Sequence, residues 1–96
     1  MGACDFSTKG AGKTAKEAFA AAREKALYDH GHAGYSGTLA EKRSFVEIKV
    51  PDGVEPRKFA ADLMETGDPR IDDKWGPAGC VKLSDGEWLF FGWASS

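Results

Sequence analysis

The residues best suited to chemistry are Asp29, His30 and His32, which lie together in Tyr28-Asp-His-Gly-His-Ala-Gly-Tyr35. An imidazole pair beside a carboxylate can ligate a metal, or can act as a general base whose ring the carboxylate orients. The spacing argues against both uses. His-x-His around a glycine lacks the i,i+4 geometry of helical ligand pairs, and with only two histidines a zinc shell would need Cys4 or Cys80 from far along the chain. A histidine at a helix end also has a plain role, because its cation interacts with the last carbonyls. The expectation is helix capping, with no metal, no cofactor and no catalytic residue.

Ser7-Thr-Lys-Gly-Ala-Gly-Lys-Thr14 has the tail of a phosphate-binding loop, but Ser7 stands where the first glycine belongs. That motif works by curling successive amides round a phosphate at the mouth of a parallel sheet, and 96 residues cannot build such a sheet. A turn leading into a capped helix is expected instead. Cys4 and Cys80 are in no redox or metal spacing and read as free thiols. The N-terminal Met-Gly-Ala-Cys-Asp-Phe misses the myristoylation pattern, which wants Ser or Thr where Phe6 stands.

The elements that would position these groups are plainer. Thr14-Ala-Lys-Glu17 is a capping box, with the Glu17 carboxylate expected to reach back to the Thr14 amide. Ala15, Ala18, Phe19, Ala22, Ala26 and Leu27 then recur at helical spacing, which predicts a helix over 15–30 stopped by Gly31. Its small Ala-rich face implies close approach to a sheet. A second helix begins at Pro56, turns Phe59, Ala60, Leu63 and Met64 inward, and ends at Gly67 before Asp68-Pro69. Phe45–Val50 alternates as a half-buried strand, and a short strand is expected near Ala3–Lys9. Asp85-Gly86 between two apolar runs predicts a hairpin of Gly79–Ser84 with Glu87–Trp93. A two-residue turn would pair Leu83 with Trp88, Val81 with Phe90, Lys82 with Leu89 and Cys80 with Phe91. The class expected is a single α+β domain over residues 1–96. Its form is a two-layer sandwich, two helices on a mostly antiparallel sheet of four to five strands ending in a hairpin.

Composition narrows the function. Hydrophobic residues make up 42% and charged residues 29%, which describes an ordinary soluble chain, and no apolar run approaches a membrane span. No apolar leader core opens the sequence, so a cytoplasmic location is expected. A net charge of −2 is too balanced for wrapping nucleic acid. Lys42, Arg43 and Lys49 with Tyr35 are too few to hold a phosphate backbone, so nucleic acid is not expected as a direct ligand. The acid gathers in the second half, most densely at Asp68-Pro-Arg-Ile-Asp-Asp73. The last strand is bulky on both faces, and in a two-layer domain the face away from the helices must be covered either by loops or the N-terminal segment of the chain itself or by a partner.

The run from Lys13 to Val50, and above all Gly34-Tyr-Ser-Gly-Thr-Leu-Ala-Glu-Lys42, resembles a group of short bacteriophage and mobile-element proteins. That group has no established activity, so no catalytic residue carries over. The resemblance implies a small protein acting inside a bacterial host, where proteins of this size block host machines, as anti-CRISPR inhibitors do. The expected function is therefore non-enzymatic: inhibition or modulation of a host protein complex, such as a CRISPR effector, by protein–protein contact. Tyr35, Lys42, Arg43, Asp68, Asp72, Asp73, Trp88, Phe91 and Trp93 are the expected contact residues. One alternative is a self-assembling structural or virion accessory protein, with a homodimer formed through the last strand. The other is a small metal- or nucleotide-dependent enzyme using His30, His32 and Asp29.

Overall fold

A computed structural model describes residues 3–30 and 37–95, with side chains for all but His30 and Ser95. His32 and Tyr35 lie outside that range, as does the His30 side chain, so the expectations placed on them fall outside the described residues. Strand β1 (Ala3–Ala11) leads into helix α1 (Ala15–His30), then a single 3-10 turn (Leu39–Glu41) and strand β2 (Phe45–Glu47). Helix α2 (Pro56–Thr66) and strands β3 (Ala78–Ser84) and β4 (Glu87–Ser95) complete the chain. The strands form one sheet in the order β1-β4-β3-β2. β1 and β3 run antiparallel to β4, and β2 runs parallel to β3. This is the α+β class expected, with two helices on a sheet that ends in a hairpin.

Each helix starts and stops for local reasons. The Thr14 hydroxyl accepts from the Glu17 amide at 3.2 Å, as a cap should, but the Glu17 carboxylate accepts from Lys13 N–H at 3.0 Å, one residue before the amide expected. These bonds occupy the helix mouth that the phosphate-loop resemblance would have left open. On α2 the Glu55 carboxylate caps Lys58 N–H at 2.8 Å, and Pro56 takes the first helical position. Gly67, left-handed at φ 71°, closes α2 with Gly67 N–H donating to Met64 and Asp68 N–H to Leu63, a Schellman ending.

The helices divide between the two faces of the sheet, so the layering is helix, sheet, helix rather than two layers. Ala15, Ala18, Phe19, Ala22 and Ala26 of α1 pack with Phe6, Cys80, Trp88, Phe90 and Ala94. Ala60 of α2 packs with Ile48, Ile71, Val81, Leu89 and Phe91 on the other face, with Phe59, Leu63 and Met64 partly buried against them. The small face of α1 does bring the backbones close. A Cβ added at Gly10 would sit 2.7 Å from the Ala18 carbonyl oxygen and 2.9 Å from the Phe90 ring. Over that contact Phe19, Phe45 and Phe90 form a triangle with centroids 5.0, 5.4 and 5.7 Å apart, in tilted and edge-on geometry.

The hairpin register differs from the expected one. Ser84 pairs with Glu87 across Asp85-Gly86, but a shift between Lys82 and Ser84 then sets Lys82 opposite Trp88, Val81 opposite Leu89, Cys80 opposite Phe90 and Gly79 opposite Phe91. Leu83 is the extra residue of a β-bulge, and one inserted residue exchanges the pairing of everything beyond it. The gain is visible at Gly79: a Cβ there would meet the Phe91 ring at 2.7 Å, so only glycine leaves room for that ring.

Candidate functional site

The segment between α2 and β3 carries the densest acid, and the fold makes it rigid rather than loose. After the Gly67 stop, Asp68 folds a tight turn: its carboxylate accepts from Arg70 N–H at 2.9 Å and from the Arg70 guanidinium at 2.9 and 2.8 Å. The Arg70 side chain, then its backbone amide, hold the Asp68 carboxyl down at about 2. Ile71 enters the core at 1% exposure and so nails the middle of the segment to the sheet. Asp72 and Asp73 are then exposed. Asp73 accepts from Trp75 N–H at 2.9 Å, an Asx turn that leaves Trp75 62% exposed.

From beneath, Lys42 holds the same segment. Thr38 caps the 3-10 turn by accepting from Ala40 N–H at 3.2 Å, and burial of Leu39 and Ala40 carries Lys42 inside at 1% exposure. Its ammonium donates to the carbonyls of Asp73, Lys74 and Gly76 at 3.3, 3.0 and 2.9 Å. It also lies 6.0 Å from the Phe6 ring centroid. The Lys42 carbonyl accepts from the Arg23 Nε–H of α1 at 2.5 Å. Burial lowers the Lys42 pKa, and the nearby Asp73 charge partly offsets that effect. A buried charge persists only when its donors are satisfied, and here main-chain oxygens satisfy them.

These positions sort the expected contact residues. Half-buried Asp68 and exposed Asp72 and Asp73 share one segment, and Lys42 joins them from the inside, where its ammonium donates to main-chain carbonyls. That corrects its expected role. Arg43 is exposed. Trp88 and Phe91 are 6% and 1% exposed and lie on opposite faces of β4, so neither is a surface anchor. The physical reason is that α1 and α2 cover both faces of β4, whose continuous apolar run is that of a doubly covered central strand. Trp93 is half-buried beside them. Trp75 was not among the expected residues. Its signal was available: a tryptophan outside any helical or alternating pattern, set between Asp72-Asp73-Lys74 and Gly76-Pro77.

The remaining chemistry is modest. Cys80 is buried, and burial, with the Glu47 charge second, pushes its thiol up to about 12; Cys4 is exposed. Among the described residues no group of three or more His, Cys, Asp or Glu is placed to hold a metal, and no helix is long and apolar enough to cross a membrane. Protein-family models, curated proteins and solved structures provide no match to this chain.

Proposed function

We propose that the chain is a non-enzymatic binding protein that acts by protein–protein contact through residues 68–76. The observation that carries this reading is the pairing of the exposed Trp75 with the exposed Asp72 and Asp73 on a backbone already pinned by Lys42 and Ile71. A surface held in shape before binding loses little entropy on docking, a tryptophan is the commonest kind of energetic anchor, and the carboxylates favour a basic partner. The narrower form of the reading is inhibition of a bacterial host complex such as a CRISPR effector. It rests on the resemblance carried by Gly34–Lys42.

The test is capture from bacterial lysate with the wild-type chain beside Trp75→Ala and Asp72→Lys/Asp73→Lys. A defined complex at fixed stoichiometry, retained by the wild type and lost from both variants, is the expected result. A complex recovered equally by all would place the contact elsewhere.

A further inference from the structure

β1 is a nine-residue strand at the edge of the sheet, without proline and without an irregularity in its pairing to β4. The opposite edge is different: β2 has three residues and soon meets Pro51. Short edges and prolines are the ordinary protection against further pairing, and β1 has neither. A groove of about 590 Å³ runs beside it, walled on the helix side by Ala22, Lys25, Ala26 and Asp29.

The hydrogen-bond alternation shows which β1 groups face outward. Gly12 N–H donates to Gly86 O, which continues the β1–β4 register, so the even-numbered residues of β1 turn their amides and carbonyls toward β4. The other side of the sheet agrees. Ala78 N–H and Cys80 O turn toward β2, so Gly79 and Val81 of β3, and Leu89 and Phe91 opposite them, pair with each other. Ala3, Asp5, Ser7, Lys9 and Ala11 therefore direct their backbone groups away from β4, to the side where no described strand pairs with them.

We propose that β1 pairs antiparallel with β1 of a second copy about a two-fold axis at Ser7. In that register Ala3 faces Ala11, Asp5 faces Lys9 and Ser7 faces Ser7, so every outward residue meets an outward residue. Asp5 and Lys9 stand on the exposed side of the strand, where Lys9 already pairs with Glu87, and the facing Asp5–Lys9 pair would occur twice, once on each side of the axis. The charges also select this register. Shifts of the axis to Asp5 or Lys9 set like charges face to face, as does in-register parallel pairing, and the intermediate shifts pair neither charge. The pairing joins two sheets into one and uses no residue of the 68–76 segment. The last strand plays no part, because β4 is enclosed between β1 and β3.

Sedimentation velocity across the micromolar range, with circular dichroism to verify folding, tests this directly. The wild type is expected to sediment at twice the chain mass, and Ser7→Pro to sediment as a monomer, since the amide it removes points away from β4 and bonds none of the described residues. Asp5→Lys and Lys9→Asp alone should each weaken the dimer about tenfold or more. Mixed in equal amounts they should restore it, because both facing pairs then carry opposite charges. A wild type that stays monomeric, a dimer indifferent to all three changes, or a mixture no tighter than its components would overturn the proposal. The mixture decides the matter even if Ser7→Pro fails to fold.

Discussion

The two faces of the sheet bury their helices to different degrees, and in the opposite sense to what amphipathicity suggests. α2 has its large apolar residues on one side, yet only Ala60 is fully buried while Phe59, Leu63 and Met64 keep part of their surface in water. α1 offers mostly alanines, and Ala15, Ala18, Phe19, Ala22 and Ala26 all disappear. Small side chains let the helix axis approach until the sheet's own aromatics supply the bulk. Packing depends on how closely backbones meet, and the hydrophobicity of the incoming face is a second matter. The α1 face should therefore be the strict one and the α2 face the tolerant one.

The largest test of that contrast is Phe90→Ala. It removes a ring shared by Phe19 and Phe45, and a loss of about 4 kcal/mol is expected from denaturant midpoints. A loss below about 2 kcal/mol would mean that the α1 face can collapse around the cavity. Gly10→Ala comes next, at about 2 kcal/mol, since its Cβ would press on the Ala18 backbone, which moves only if the helix moves. On the tolerant face, Met64→Ala should cost about 1 kcal/mol, below the usual range for core truncations because the side chain is only partly covered. Native-state hydrogen exchange should agree, with α2 amides opening before those of α1.

Thiol labelling sharpens the same line at lower cost. Cys4 should react at once, and Cys80, held inside the strict face with its thiol near 12, only on unfolding. Equal rates would show that the α1 face breathes. The smallest effect is electrostatic. The Asp68 carboxyl titrates lower in the fold than in the unfolded chain, so its contribution is complete above the usual carboxylate range and lost as pH falls toward about 2. Arg70→Ala should raise that midpoint only part of the way, since the backbone amide of residue 70 still donates to the carboxylate, read by NMR titration of the carboxyl, with little change in overall stability.

What the sequence disclosed was local. Thr14, Pro56 and Gly67 mark helix ends because caps and stops act within a few residues, and Asp85-Gly86 marks its turn for the same reason. The bulge at Leu83 was hidden, since it answers to which rings must fit over Gly79 and under α1. The parallel course of β2 and the division of the helices between two faces are likewise decisions of the whole chain. Of the expected contact residues, the exposure of Asp72 and Asp73 was legible from charge density. Lys42 was misread because the oxygens that receive it are main chain, and main-chain oxygens leave no mark in a sequence.

That hidden lysine bears on the order of events when the chain folds. Its ammonium joins residues 31, 32 and 34 positions away, and contacts of such span form only after the intervening chain has been gathered. Until then the charge remains in water, where it is most comfortable. The Lys42 clamp is therefore a closing step: it fastens a segment whose Ile71 completes the second core. Its loss should quicken unfolding while leaving the refolding rate almost unchanged.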